Sequence, residues 1–272
     1  ESSVFFVTLQ PDGKILLSGV FQLPVPGPVV KHLIRLNSDG SIDNSFTKGD
    51  LTGTINHYDI SVSLSRPLAK PIIQPDGKII VTGAFTKYNS ITTNNIVRLY
   101  SNGNVDSGFY TTTGTDRAIN VGILEPSTNK IIIGGEFTLF GSTPVKKMIR
   151  LNTNGTLDNT FTIGTGTTDI PISSGNIYTN NYIKHLIQQP DGKIIVVGKF
   201  NTFNGLSATN ITRIFGNSGF QTRSLSQEFV SEPEIDTNPS YNAITIYPNP
   251  SKGIYNIDLS YEKEPTNIAI YN

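Results

Sequence analysis

The chain has 272 residues, 21 basic and 21 acidic side chains, and no cysteine. The zero net charge argues against a nucleic-acid-binding protein, and the lack of cysteine excludes disulfides, thiolate metal sites and cysteine nucleophiles. Apolar runs are short, as at 194–197, so no transmembrane helix is expected. The chain opens with Glu1 and shows no signal peptide, so we expect a processed chain or a fragment.

A repeated set of markers dominates the sequence. The motif Gln-Pro-Asp-Gly-Lys-Ile at 10–15 returns at 74–79 and 189–194, and a degraded copy lies at 125–131. Its turn residues are Asp12, Gly13, Asp76, Gly77, Asp191 and Gly192. Each copy is followed by a Gly-x-Phe, which places Phe21, Phe85, Phe137 and Phe200, and then by an arginine, which is Arg35, Arg98, Arg150 or Arg213. The same order in four copies predicts four structural repeats.

One repeat has the pattern of β-structure. Proline presets φ and glycine supplies a positive φ, so Pro-Asp-Gly predicts a three-residue hairpin turn. The return strand is unbroken and apolar, as at 15–17, 79–81, 131–133 and 194–197, so we expect both of its faces to be buried. A third strand carries the arginine. The Asp-Gly or Asn-Gly at 39–40, 102–103 and 154–155 then predicts a tight turn into a short fourth strand that ends in phenylalanine.

Such units cannot stand alone, because strands buried on both faces must stack on neighbours. The best arrangement is an all-β, β-propeller-like array of four repeats over 1–220, alone or as part of a larger propeller. A β-solenoid is the rival, although solenoid rungs are usually shorter. The Gly/Thr/Ser-rich stretches 47–66 and 162–182 are predicted to be long surface loops.

The marker order resembles the delta-60 repeat of bacterial secreted and surface proteins. That resemblance implies β-propeller-like domains over roughly 1–220, and it implies no particular activity, because the family shares none. Copy three departs from the pattern by lacking the Asp-Gly turn. Copy four departs by lacking the Asp-x-x-Phe ending, which makes it a terminal or decayed repeat.

The chain changes character after Phe220. Residues 221–240 are acidic and lack an apolar pattern, which predicts a linker, and 241–272 open a second β-pattern. The motif that begins this second part consists of Tyr247, Pro248, Asn249, Pro250 and Gly253. It resembles the start of the type A C-terminal sorting domain of the type IX secretion system, a small β-sandwich that is incomplete here. The resemblance implies the secretion machinery as partner and export through the periplasm to the outer surface or the medium. The alternative is an ordinary proline-rich linker into a small β-domain.

A calcium site is suggested only weakly. Asn37, Asp39 and Asp43 place oxygen atoms around the Gly40 turn, as a hard cation requires. The spacing does not fit an EF-hand, because the bidentate glutamate is missing and the middle aspartate is replaced in the other copies. We therefore favour a turn in which Asp or Asn caps its own backbone, and we expect no cofactor.

The repeated arginine needs a partner if it is buried. Alternation along the strand places it on the face opposite to its two apolar neighbours. The candidates are the aspartates that follow across the second turn, Asp43, Asp106 and Asp158. Arg213 has no matching aspartate, so we expect a different partner for it. The alternative is a ring of arginines that faces a ligand.

Catalysis has little support in the sequence. His32, His57 and His185 share no motif, and His185 is predicted to be a surface residue of a strand. The favoured function is a non-catalytic secreted or surface propeller that binds a protein or a glycan or acts as a spacer. The alternative is a hydrolase or lyase whose site lies in 47–66 and 162–182 or in sequence beyond this chain.

Overall fold

A computed structural model describes residues 3–25, 27–52, 69–109, 114–167 and 181–215. All regular structure in these ranges is β, which confirms the predicted fold class. In this part of the chain no helix has the length and hydrophobicity needed to cross a membrane. The chain divides into two units, Glu1–Val230 and Ser231–Asn272. The predicted linker and sorting motif lie outside the described residues.

The strands follow the four repeats. Repeat 1 contains β1 (Ser3–Leu9), β2 (Ile15–Val25) and β3 (Gly27–Leu36), and β4 (Leu51–Thr52) follows it. Repeat 2 contains β5 (Ile72–Ile73), β6 (Ile79–Thr82), β7 (Lys87–Tyr88), β8 (Ile91–Thr92) and β9 (Ile96–Leu99). Repeat 3 contains β10 (Ile119–Leu124), β11 (Ile131–Gly135), β12 (Leu139–Phe140), β13 (Thr143–Pro144) and β14 (Met148–Leu151). Repeat 4 contains β15 (Tyr182–Gln188), β16 (Lys193–Lys199), β17 (Thr202–Phe203), β18 (Leu206–Ser207) and β19 (Ile211–Phe215). Each repeat forms one antiparallel three-stranded sheet, in the orders β1-β2-β3, β5-β6-β9, β10-β11-β14 and β15-β16-β19.

The first hairpin turn forms as predicted. The Gly13 amide donates to the Gln10 carbonyl at 3.0 Å, and the Gln10 amide donates to the Lys14 carbonyl at 2.8 Å. Gly13, Gly77 and Gly192 share a φ of 80°, which only glycine adopts without strain. In repeat 3, which lacks this glycine, Asn129 takes the left-handed conformation at φ 56° and the hairpin is kept.

The predicted fourth strand is wrong. Only one residue of it pairs, as the bridges Leu36↔Ile42, Leu99↔Val105 and Leu151↔Leu157 show. The chain then turns because the aspartate that follows accepts hydrogen bonds from the amide and hydroxyl two residues on, as Asp43 does from Ser45 at 2.9 and 2.6 Å. The phenylalanine is therefore positioned by a turn rather than by a strand.

Small hairpins that the sequence analysis missed lie between the second and third strands of repeats 2, 3 and 4. They are β7–β8, β12–β13 and β17–β18. The segment that leaves each preceding repeat pairs with the next hairpin, through Leu51↔Tyr88, Thr115↔Phe140 and Thr167↔Phe203. The stretches predicted as loops at 47–66 and 162–182 therefore begin as edge pairings, and 53–66 and 168–180 lie outside the described residues.

The hydrophobic core lies between neighbouring repeats. Three clusters of buried side chains join repeat 1 to 2, repeat 2 to 3 and repeat 3 to 4. In β6, Ile79 and Val81 pack toward repeat 1, whereas Ile80 packs toward repeat 3. We call the side of each sheet that packs on the preceding repeat its incoming face, and the opposite side its outgoing face.

The prediction that both faces of the return strand are buried holds for β6 and β11, which are buried throughout. It is wrong for the outer repeats, where Ile15 and Leu17 of β2 and Ile195 and Val197 of β16 are only half-buried. These residues lie on the incoming face of repeat 1 and the outgoing face of repeat 4, which have no neighbouring repeat among the described residues. The four Gly-x-Phe phenylalanines are buried, with Phe21 at 6% exposure and the other three at 1% or less.

Candidate functional site

The most highly organised polar feature is a cluster that occurs once in each of repeats 1, 2 and 3. Its centre is an arginine whose Nε donates to the Oδ2 of the aspartate eight residues later. The distances are 2.8 Å for Arg35–Asp43, 2.8 Å for Arg98–Asp106 and 2.7 Å for Arg150–Asp158. All six residues are buried, so each charge has its counterion within hydrogen-bond distance.

Local structure explains how arginine and aspartate meet. The arginine pairs across the sheet with a residue of the central strand that lies on the outgoing face, as Arg98 does with Ile80. After the Asn-Gly turn the chain runs back, and the Asp106 amide donates to the Arg98 carbonyl at 2.8 Å. The same bond joins Asp43 to Arg35 and Asp158 to Arg150, each at 2.9 Å. The turn therefore fixes the aspartate beside the arginine.

Two further residues complete each cluster, and neither was predicted from the sequence to belong to it. The lysine of the first hairpin forms a salt bridge with the aspartate. The Nζ–Oδ2 distances are 2.9 Å for Lys14–Asp43, 3.5 Å for Lys78–Asp106 and 2.8 Å for Lys130–Asp158. The guanidinium carbon lies 4.6–4.9 Å from the ring centre of Phe46, Phe109 or Phe161, which is a cation–π contact. The signal was available, because Lys and the Asp-x-x-Phe ending recur with the repeat.

The cluster also joins one repeat to the next. Arg35 Nη1 donates to the Ser101 carbonyl and Arg98 Nη1 to the Thr153 carbonyl, both at 2.5 Å. These carbonyls belong to the second turn of the following repeat. A Cβ built on Gly103 would lie 3.0 Å from the Phe46 ring, and one on Gly155 would lie 2.8 Å from the Phe109 ring. Glycine is required at both positions because φ is 87° and because the preceding repeat packs closely there, through Phe46 and the Thr47 main chain at Gly103 and through the Phe109 ring at Gly155.

Repeat 3 closes its cluster differently. Glu125 stands where the other copies have glutamine, and its Oε1 accepts from Arg150 Nη1 at 3.2 Å. Thr128 Oγ1 also donates to Glu125, at the degraded turn. Arg150 thus lies between two buried carboxylates, Asp158 and Glu125. The glutamate that replaces the glutamine of the motif supplies this second counterion.

Repeat 4 lacks the aspartate, and its arginine has a different electrostatic neighbour. Arg213 is half-buried on the outgoing face and pairs across the sheet with Ile195. Hydrogen bonds from Lys193 lower the pKa of Asp191, and the nearby charge of Arg213 adds to this lowering. Lys193 Nζ lies 2.5 Å from Asp191 Oδ2.

The clustered carboxylates are held in the ionised form. Hydrogen bonds from Lys14 and Ser45 keep the pKa of Asp43 well below its usual range. Burial acts to raise the pKa of Asp106 and of Asp158, but hydrogen bonds and positive charge outweigh it. These come from the Gly108 amide and Arg98 for Asp106, and from Lys130 and Thr160 for Asp158, so both pKa values are lowered. Each carboxylate therefore acts as a permanent counterion and not as a proton donor near neutral pH.

The residues considered for calcium bind protein groups in this structure. Asn37 Nδ2 donates to Ser41 Oγ, and Asp39 Oδ1 accepts from the Ser41 amide and hydroxyl. Asp43 binds Arg35 and Lys14, whose positive charges disfavour a cation there. Across the described ranges, no group of three or more His, Asp or Glu side chains could hold a metal ion.

The histidines lie apart from these clusters. His185 is exposed on β15, as predicted, and His57 lies outside the described residues. His32 Nδ1 accepts from the Leu51 amide at 3.2 Å, and burial lowers the pKa of this histidine. His32 thus fixes the segment that leaves repeat 1.

Among the solved structures that are similar to this chain are two proteins of Leishmania mexicana. One is MPT-4, a mannose phosphorylase in complex with a phosphate ion, at 11% identity and a TM-score of 0.31, with 76% of this chain and 65% of that chain covered. The other is MPT-1, a GDP-Man-dependent mannosyltransferase, at 16% identity and a TM-score of 0.31, with 79% of this chain and 68% of that chain covered. At these TM-scores neither similarity supports an argument about this chain. No curated protein matches it.

The repeats themselves identify the family. The family described as "Domain of unknown function (DUF5122) beta-propeller" matches residues 10–46, 74–109, 127–161 and 189–218. Each match begins at or beside a first hairpin, and the first three end at the phenylalanine of an arginine cluster. These matches leave out the first strand of each sheet and contain its second and third strands, together with the arginine of each repeat. The chain belongs to this β-propeller repeat family.

Proposed function

We propose that this protein is a non-catalytic extracellular scaffold, whose repeat array serves as a spacer and presents its exposed surface to a protein or glycan. The observation that carries the proposal is the arginine cluster. The buried, strongly paired charges of repeats 1 and 2 join each of them to the next repeat, and those of repeat 3 pair within that repeat.

Repetition is the reason to assign these charges a structural role. A catalytic centre needs one set of groups at one place, with a pKa suited to proton transfer near neutral pH. Here the same lysine, arginine and aspartate occur once in each of three repeats, at nearly the same distances, and the aspartate pKa values are lowered. Such groups support packing and are poorly suited to acid–base chemistry.

Export is the second part of the proposal. We infer it from the resemblance of the stretch from Tyr247 to Gly253 to the start of a type IX sorting domain, which follows an acidic linker. In this proposal the segment 241–272 is a sorting signal that the secretion machinery recognises. The protein reaches the outer surface or the medium by way of the periplasm.

Fractionation in a host that carries the type IX system tests the export. The protein should be found outside the cell or on its surface, and deletion of everything after Ser240 should retain it in the periplasm. Deletion of 221–240 alone, which keeps the motif, is the control and should leave export intact. Secretion of the truncated form at the normal level would show that the segment is not a sorting signal.

A separate assay tests the absence of catalysis. Purified protein is incubated with a set of polysaccharides, and both binding and the release of reducing ends are measured. We expect no release. Reducing ends that accumulate in proportion to protein concentration would contradict the scaffold proposal and favour the hydrolase alternative, whatever the outcome of the export experiment.

A further inference from the structure

We propose that two copies of this chain associate head to tail, so that the outgoing face of repeat 4 in one copy packs on the incoming face of repeat 1 in the other. Three contacts of this kind already join consecutive repeats within one chain. The proposed contact continues the same packing between two molecules.

The incoming face of repeat 1 has the composition of a covered face, and although Ile34 on this face is buried, three of its apolar side chains are exposed. Val7 is 59% exposed, Leu9 70% and Ile42 40%. The residues equivalent to Leu9, Ile73 in repeat 2 and Leu124 in repeat 3, pack against core clusters. Val105 and Leu157, which are equivalent to Ile42, do the same. Repeat 1 therefore presents the apolar side chains that the inner repeats bury.

The second turn of repeat 1 also has room for a neighbour. Gly40 has nearly the same φ as Gly103 and Gly155, at 86° against 87°. The two inner glycines lie against Phe46 and Phe109 of the preceding repeat. A Cβ on Gly40 would meet nothing within 4 Å. The place where the inner repeats receive the preceding repeat is thus accessible in repeat 1.

The outgoing face of repeat 4 is the complementary half. Ile187 is 60% exposed and Phe215 is 43% exposed. The residues equivalent to Ile187, which are Ile72 in repeat 2 and Ile123 in repeat 3, pack against the following repeat. Ile195, the central residue of this face, is half-buried, whereas its equivalents Ile80 and Ile132 are fully buried.

Charge also favours this pairing. Arg213 lies on the outgoing face at the position from which Arg35 and Arg98 reach a carbonyl of the next repeat. The equivalent carbonyl on repeat 1 belongs to Ser38. The next residue there is the exposed Asp39, where the inner repeats have asparagine. An arginine that arrives from a second copy would therefore meet both a carbonyl and a carboxylate.

The two faces differ, so the contact is heterologous and each dimer keeps one free face of each kind. The weight-average mass of the purified chain should therefore rise with concentration from that of a monomer to that of a dimer and beyond. Sedimentation velocity and light scattering up to about 100 µM measure this. A chain that stays monomeric over the whole range would overturn the proposal.

Paired variants identify the faces. Ile42→Asp blocks the incoming face and Ile187→Asp blocks the outgoing face, and we expect each variant alone to be monomeric. An equimolar mixture should form dimers and nothing larger, because each partner keeps one intact face. Ile91→Asp, at a residue that is 46% exposed on β8 and on neither face, is the matched control and should associate like the unaltered chain.

Circular dichroism verifies that each variant is folded. If Ile42→Asp does not fold, Leu9→Asp takes its place on the incoming face, and if Ile187→Asp does not fold, Phe215→Asp takes its place on the outgoing face. Both residues are exposed. Two outcomes would refute the head-to-tail arrangement. One is a mixture that remains monomeric, and the other is a control that loses association as completely as the face variants.

Discussion

Removal of one member of the Arg98–Asp106 pair gives a sharp test of the arginine cluster. The Arg98 side chain is 9% exposed and that of Asp106 is 3% exposed, and their Nε–Oδ2 distance is 2.8 Å. Lys78 lies 3.5 Å from the same carboxylate oxygen. Arg98 also donates to the Thr153 carbonyl and lies over the Phe109 ring. The two residues therefore support both repeat 2 and its contact with repeat 3.

The expected costs follow from what each change leaves behind. Asp106→Ala leaves the buried Arg98 without its carboxylate, whereas Lys78 keeps Asp76 at 3.4 Å. Breaking a buried pair in this way costs about 3–5 kcal/mol of unfolding free energy. Arg98→Ala should lie near the lower end, at about 3 kcal/mol, because Lys78 still faces Asp106. With a total stability of about 5–15 kcal/mol, either loss is a large fraction. The double variant should cost less than the sum of the single variants.

Urea unfolding followed by circular dichroism and tyrosine fluorescence measures these differences, since the chain has 11 tyrosines and no tryptophan. The two signals should give coincident transitions, which permits comparison of the free energies. Lys87→Ala, at an exposed cation of β7 in the same repeat, is the control and should change stability by less than about 0.5 kcal/mol. Strict additivity in the double variant would mean that Arg98 and Asp106 do not interact.

Three further predictions follow from the described geometry. Phe137→Ala should cost about 3–5 kcal/mol in the same urea assay, because the ring is fully buried between repeats 2 and 3, and an unchanged midpoint would refute that placement. Gly40→Ala and Gly103→Ala share the strain of a positive φ, but only Gly103→Ala adds a Cβ 2.5 Å from the Thr47 carbonyl oxygen. Gly103→Ala should therefore be the more destabilising of the two by about 1–3 kcal/mol of unfolding free energy. Equal costs would count against the described packing of repeats 1 and 2. The lowered pKa values of Asp43, Asp106 and Asp158 mean that their stabilisation is present above the unfolded value of about 4 and is lost as the pH falls below it. The urea midpoint should therefore hold from neutral pH to about pH 5 and decline below about pH 4, with a shallower decline for Asp106→Asn, and identical declines would contradict the assignment.

Several features of the fold could be predicted because they depend on local chemistry that recurs. Pro-Asp-Gly specifies its hairpin through φ and through the aspartate side chain, which accepts a hydrogen bond from the amide two residues later. The aspartates that meet Arg35, Arg98 and Arg150 lie across a short Asn-Gly or Asp-Gly turn. Other features depend on contacts that leave no local trace. The two-residue strands of β7 and β8 are too short to show a period of two. The half-buried state of Ile195 is set by the lack of a following repeat among the described residues, so the residue alone does not reveal it.

The interface partners were hardest to predict, for a related reason. Arg35 and Arg98 bind main-chain carbonyls in the next repeat, and a carbonyl is present at every position of a chain. No residue type marks the acceptor, so sequence spacing could identify Asp106 but not Thr153. The contact between the Phe46 ring and Gly103 could not be predicted from the sequence either, because the positive φ of a turn is already a sufficient reason for glycine there.

The use of a main-chain acceptor has an evolutionary consequence. Serine supplies the carbonyl at 101 and threonine supplies it at 153, yet the bond is the same, because the side chain takes no part. A repeat copied by gene duplication brings its own arginine for the next repeat and its own turn carbonyl for the preceding one. For this bond, a repeat inserted after repeat 1 or 2 therefore needs no compensating change of side chain. The side chain at this turn position can thus differ from repeat to repeat while the contact between repeats is kept.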